Sequence, residues 1–456
     1  MTITNIYFVI SALAVGNPLT MESRVEQLNS FQEHSNVLYI MSRDQRIHEN
    51  HSVALSYSLS YKNKSKLLIG IELSKLQMNE KQKTFILEGL VELNKEAKKY
   101  NLHVYNITDI EPFIISNSIG TVVLDFNPMR VYIKRQNEIS KICEKHKTAL
   151  FVCDSHNIVP CKTLKVYKRT SKAVRTDLYK EWRKYLKEYE KIEPHKFNKP
   201  ETESGNNTDE FESLLRKNPR DKQCTFTGGY SEGMKQLELF FCERFSSYSK
   251  GRNDPETNVL SDLSPYIHAG HISALQTIFL TIERYGKDES DNYQAFINEM
   301  FIWRETAEHF VYHEKNYDNI NGALAWAKNT LLYHVRDQRP AIYDRNQLES
   351  ARTDDPLWNA AQRQMTVSGK MHGYVRMYWA KKILEWTEDP RNAIRIGIEM
   401  NDQYSIDGND PNGYLGVMWS VCGSMDRAFA EKPIYGKIRS MKSFKCPLYI
   451  DTWTKK

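Results

Sequence analysis

Residues 368–386 read SGKMHGYVRMYWAKKILEW, a helical pattern that carries two tryptophans, two tyrosines, a histidine and four basic residues. Met371, Val375, Trp379, Ile383 and Trp386 recur every three or four positions and form one stripe. Seven residues apart, Trp379 and Trp386 fall within about 20° of each other around the axis and about 10 Å apart along it. Large apolar rings in a stripe suit a core, and two stacked indoles also suit electron transfer by short hops. Spacing alone does not choose between them. Two further stretches have chemistry in them. NEMFIW sets Glu299 one helical turn before Trp303 on the same face, in surroundings apolar enough to bury a carboxylate. LSDLS (260–264) sets Ser261 and Ser264 ahead of an apolar helix, where serines serve either as ordinary caps or as part of an anion site.

The elements that must position these residues fall into two textures. Apolar runs at 36–41, 67–73, 101–107, 120–126 and 149–153 alternate with helical patterns at 79–100 and 129–147. Strands alternating with helices predict a parallel, Rossmann-like sheet covered on both faces, across 36–195. No GxGxxG follows the first strand, so a dinucleotide fingerprint is absent there. Residues 162–199 hold thirteen Lys or Arg against five acids and read as a solvated surface. KPETESGNNTDE (199–210) loses nearly all apolar content and predicts a linker over 196–215. From 216 to 456 helical patterns dominate, and every tryptophan except Trp182 lies there, so an all-α domain follows.

At 456 residues, with 40% apolar and 26% charged residues, the chain has material for two globular domains. A net charge of +6 permits a polyanionic partner. Seven scattered cysteines without a CxxC pair suggest neither a zinc site nor a disulfide framework, and fit a reducing compartment. The apolar run in residues 1–20 has no Lys or Arg before it and is short of a membrane span, so 1–35 is expected to be a poorly ordered leader rather than a secretion signal.

The long motifs 347–390 and 398–441, with RNDPETNVLSDLSPYIHAGHIS (252–273), INEMFIWRE (297–305), YDNINGALAWAKNTL (317–331), MSRDQRIHEN (41–50) and CDSHNIVPC (153–161), closely resemble the class II cyclobutane pyrimidine dimer DNA photolyases. The resemblance runs in order through most of the chain beyond residue 36. It implies an antenna-type α/β domain, an all-α domain holding non-covalent, reduced FAD, and a second chromophore of unstated identity. Tyr248, Leu260, Ser261, Leu263, Ser264, Arg376, Asn401 and Asp407 match the family's flavin-binding positions, with Asn401 opposite the flavin N5. Arg252, Glu299, Trp303 and Trp419 match those that face the damaged bases. Trp379, Trp358 and Trp386 fall on the family's indole relay, with Trp379 nearest the flavin. Metal ions have no place in this set.

The implied activity is carbon–carbon bond cleavage in UV-damaged DNA, by a monomer working where DNA is kept, without a membrane. The alternative is a cryptochrome-like flavin photosensor. Seven cations after Ala430, Lys442 and Lys445 among them, fit phosphate contacts beside a lesion pocket. The chain departs from the family pattern at His51, Ala269, His271, Met425 and Phe429, none of them an electron-transfer position.

Overall fold

A computed structural model describes residues 21–187, 189, 191–199, 209–287 and 290–455. The first twenty residues of the expected leader, and 200–208 of the expected linker, lie outside the described residues. Strands β1 (Val25–Gln27), β2 (Asn36–Ile40), β3 (Leu67–Ile71), β4 (Val104–Asn106), β5 (Ile119–Asp125) and β6 (Ala149–Cys153) form one sheet in the order β1-β6-β5-β2-β3-β4. β3, β5 and β6 are buried along their whole length, as continuous apolar runs between two helical layers must be. The 79–100 pattern becomes the helix Glu80–Lys99, which Asn79 and Gln82 start with a reciprocal capping box.

Three expectations need correction. The sheet is mixed, because β1 pairs antiparallel with β6. β1 lies inside the stretch expected as a leader, so residues 21–35 belong to the α/β domain. Arg24, 4% exposed, fixes this edge by donating to the carbonyls of Asp154, Asn157 and Ile158 at 2.7–2.9 Å. The linker is also shorter than 196–215. Helix Glu210–Lys217 packs on Glu80–Lys99 through Phe211, and its cap Asp209 accepts from Asn94 at 2.6 Å.

The chain leaves β2 first toward β3 and β4, and later returns to β5 and β6 on its other side. The crevice at such a reversal is the usual ligand site of an open α/β sheet. Here the protein fills it. Asp125, at the end of β5, accepts from the backbone N–H of Ser42 and Arg43 at 2.8 and 3.0 Å, and from Tyr39 Oη at 2.7 Å. Arg43 leaves this loop and grips Glu308 of the Arg304–His313 helix with both terminal nitrogens, one at 3.0 Å. One turn earlier, Glu305 accepts from Arg304 and from the backbone of Ile158 and Val159. Asn79 donates to the carbonyls of Asp402 and Ser405 at 2.8 Å each. The two domains are therefore joined by buried polar groups.

In the second domain three helices begin alike. Asp355, Asp389 and Asp410 each cap a helix whose first residue is proline, giving Pro356–Ser368, Pro390–Tyr404 and Pro411–Cys422. With Gly373–Glu385 these form a packed group.

Arg43 and Glu308 are 5% and 2% exposed, so removing one partner strands a charge in the interior. Glu308→Ala is expected to cost about 3–5 kcal/mol of stability, seen as a lower melting temperature by circular dichroism. Pairing Arg43→Met with Glu308→Leu is expected to recover much of it.

Candidate active site

The three indoles meet, though not as the stripe suggests. Trp358, from the Pro356–Ser368 helix, stacks on Trp379 at 6.2 Å between centroids and 7° between planes. Its other contact is Trp386, edge to face at 5.5 Å. Trp379 and Trp386 share a helix face, but the continuous contact passes through Trp358. Trp358 Nε1 donates to the Trp379 carbonyl at 3.0 Å, and Trp379 Nε1 donates to Gln362 at 2.9 Å. Both rings are fully buried. Trp386 continues edge to face onto Tyr343 at 5.1 Å. No sequence signal pointed to Gln362 or Tyr343, since both contacts depend on how the helices cross.

The expected flavin positions gather around a set of opposed charges. Ser264 Oγ donates to Asp407 at 2.6 Å, and Arg376 lies 3.3 Å from the same carboxylate. Burial alone would raise Asp407, but Arg376, Lys370 and Ser264 outweigh it and hold the carboxyl below its ordinary value. Asp262, at φ 57, is paired with Arg244 at 3.1 Å and Lys370 at 3.2 Å. The carbonyls of Leu260 and Ser261 accept from Arg244 and Gln236, and Leu263 is buried. Asn401 is 2% exposed; its amide donates to Asp402, its oxygen accepts from Ser405, and a Cβ at Gly413 would come within 2.6 Å of its nitrogen. Buried Nε atoms of Arg376 and Arg244 and Nε2 of His372 have no hydrogen-bond partner.

A second group lies on a π-helical turn, Asn298–Trp303. Glu299 pairs with Arg252 at 2.5 Å. Burial raises the Glu299 pKa and Arg252 only partly offsets this. The side chain keeps 37% of its surface accessible, so the upward push is weaker than full enclosure would give. Tyr248 is buried edge to face against Phe240 and Phe296, with its phenol held neutral by that burial and by nearby Glu299. Trp303 and Trp419, both half-buried, meet edge to face at 5.5 Å. Arg175, from the first domain, holds its guanidinium 4.8 Å from the Trp303 ring centre. Lys442 and Lys445 are exposed on either side of Phe444, which packs on Tyr374 and Tyr378.

The departures from the family pattern are also accommodated. His51 packs at a tilt against Tyr189, 4.6 Å between ring centres. His271 lies on Phe85 at 4.8 Å and accepts from the Gly229 N–H at 3.0 Å. Gly89 beneath it could carry no side chain, since a Cβ would come within 2.2 Å of the imidazole. All seven cysteines are free thiols.

An α/β sheet is docked on a helical domain that holds a buried chain of indoles and a half-buried pair of tryptophans next to Glu299. The chain belongs to the DNA photolyase family. That family's model matches residues 37–201. The chain is 34% identical over 423 residues to the deoxyribodipyrimidine photo-lyase of Potorous tridactylus, covering 91% of this chain and 79% of that one. It is 33% identical over 434 residues to the enzyme of the same name from Methanothermobacter thermautotrophicus, covering 91% and 94%. Among solved structures, a bacterial class III photolyase from Agrobacterium tumefaciens matches with a TM-score of 0.66 at 16% identity, over 86% of this chain and 81% of that one. An archaeal photolyase from Sulfolobus tokodaii with two FAD molecules matches at 0.61 and 18%, over 86% and 84%. At those identities the structures establish the fold. Among the described residues no helix is long and apolar enough to cross a membrane.

The loop after Trp419 is clamped to the 325–336 region by His334. Its Nδ1 contacts Asp337 at 2.6 Å and its Nε2 contacts Glu431 at 2.9 Å. Asp337 also accepts from the Ile434 N–H at 2.7 Å, while Arg339 donates to the His334 carbonyl. Burial disfavours the charged ring, but Glu431 and Asp337 outweigh it and raise its pKa. A raised histidine pKa gives stabilisation that is full below about 6.5 and is lost as pH climbs through the folded value. The gap in melting temperature between wild type and His334→Gln is therefore expected to be widest near pH 6 and to close toward pH 9, measured by calorimetry across that range.

Proposed function

We propose that this chain binds DNA carrying cyclobutane pyrimidine dimers, takes the lesion into the Trp303–Trp419 cleft and splits the ring in light, as a class II photolyase does. The observation that carries this reading is the half-buried Trp303–Trp419 pair with Glu299, held by Arg252, one turn from Trp303. Two aromatic walls replace the base stacking that a flipped lesion gives up. The names of the relatives support the substrate class, and the archaeal neighbour with two FAD molecules supports the cofactor.

The residues present fit FAD. The unpartnered nitrogens of Arg376, Arg244 and His372 are donors and acceptors that a bound polar ligand would satisfy. Arg376 would hold the flavin ring region, Asn401 would offer an uncharged amide to it, and the 260–264 turn would take the phosphate end. When bound, reduced FAD supplies a photoexcited electron for the dimer and regains it after ring opening.

The protein's own part is positional and electrostatic. Arg252 holds Glu299 in place, and Glu299, either carrying a proton or bridged by a donor, offers a hydrogen bond to a dimer carbonyl oxygen as negative charge gathers there. This help falls on the charge-shifted state more than on the ground state. Trp379, Trp358 and Trp386 form the route by which electrons from the surface would restore the reduced cofactor. A photosensor would need that route but not the walled cleft.

With pre-reduced enzyme and saturating substrate, Glu299→Ala is expected to lower dimers repaired per absorbed photon several-fold at unchanged FAD content. Equal yields would remove Glu299 from the chemistry, and no repair by wild type would favour the photosensor. Trp379→Phe keeps an apolar ring in place but is harder to oxidise. It is expected to abolish light-driven reduction of oxidised flavin, followed by absorbance, while repair by chemically reduced enzyme survives.

A further inference from the structure

The basic segment at 162–199 reads from sequence as a solvated surface, yet the structure sets one end of it against Trp303 and the turn that carries Glu299. Helix Ser171–Tyr185 of the α/β domain lies along the π-helical turn that carries Glu299 and Trp303. Trp182 stacks on Phe301 of that turn at 5.5 Å, and Tyr179 meets the same ring edge on at 6.1 Å. Arg175 covers the Trp303 indole. At the start of the helix the Ser171 N–H donates to the Met425 carbonyl at 3.2 Å, just beyond the helix that carries Trp419. Trp303 therefore borders the second turn of this helix, and the stretch following the Trp419 helix borders its start.

The approach to the helix is held as firmly. Tyr167 stacks on His313 at 5.7 Å, and the Lys168 N–H donates to His309 at 2.9 Å. Charge along the helix is uneven. Lys180 and Lys184 at the far end face Asp177 and Glu181, and Lys168 also reaches Asp177. Arg169, just before the helix and 5.2 Å over the Tyr167 ring, and Lys172, in its first turn one turn ahead of Arg175, are exposed, and among the described residues neither has a carboxylate partner. Uncompensated cations on a rigid support beside a cleft for damaged bases are what a flanking phosphate backbone would meet.

We propose that the α/β domain supplies part of the DNA-binding face: Arg169 and Lys172 contact backbone phosphates flanking the lesion, while Arg175 braces the Trp303 wall. This rests on the repair reading for the identity of the cleft, but adds a surface from the other domain. Such contacts fix register on the duplex and carry no base sequence information.

The test is binding of the FAD-loaded full chain to a dimer-containing duplex and to the same duplex undamaged, across a salt titration. Each lost phosphate contact lowers the slope of log affinity against log salt by about 0.9. Arg169→Gln with Lys172→Gln is expected to flatten the slope by about 2 on both duplexes, with melting temperature and flavin absorbance unchanged. Lys180→Gln with Lys184→Gln, at the far end of the same helix, is expected to leave the slope as it was. An unchanged slope in the first pair, or an equal change in the second, overturns the proposal. If wild type shows no preference for the dimer, the repair reading fails, while the slopes on undamaged duplex still judge the surface.

Discussion

The buried pairing of Arg43 with Glu308 is the constraint on which the rest depends. Both groups are out of water, where an unmatched charge is far costlier than in solvent. The α/β domain and the helical domain must therefore meet in one register. Asp125 holds the loop from which Arg43 departs, and Glu305 binds the loop after β6 from the same helical face. The crevice that many α/β sheets keep for a ligand has become the socket for the second domain. Asn79 extends the same joint to the carbonyls of Asp402 and Ser405, on either side of which stand Asn401 and Asp407.

From that joint the site follows in two directions. Along the helical core, the Asp355-Pro356 start fixes where the helix bearing Trp358 begins, and the two other Asp-Pro helices pack on the Gly373–Glu385 helix that bears Trp379. On the other side, the Arg304–His313 helix that anchors the domains is the direct continuation of the π-helical turn bearing Glu299 and Trp303. The turn bearing Glu299 and Trp303 and the domain interface are thus successive stretches of one helical segment. A shift at one is felt at the other without any intervening loop to absorb it.

Much of this was legible in the sequence. β2, β5 and β6 announce themselves because a strand buried on both faces must be apolar throughout. The caps at Asn79 and at the Asp-Pro pairs are local chemistry and need no tertiary knowledge. β1 was not legible: Val25–Gln27 has no apolar run, and its place comes from Arg24 donating to three carbonyls far along the chain. The indoles show the same limit. Periodicity aligned Trp379 with Trp386, but the ring that joins them arrives from another helix. Likewise, charge counting over 162–199 could not tell that Arg175 lies on Trp303 while Lys184 pairs with its own helix.

The two π-helical turns, Phe240–Arg244 and Asn298–Trp303, bear on how this chain can change over generations. Each holds one residue more than the α-helix around it needs. A single deletion in 298–303 would close into regular α-helix without a break, which is the kind of change a surface helix tolerates. In regular α-helix one residue is about 100° of rotation, but a π-helical turn takes up its extra residue in one wide turn, so losing it there leaves the helix beyond close to its original facing. Glu305 would still look toward Ile158 and Glu308 toward Arg43, while Glu299 and Trp303 inside the turn would be re-aimed. A deletion within 304–313 is the one that would rotate the domain contacts out of register, so length is held by the other domain there and by the aim of Glu299 and Trp303 within the turn.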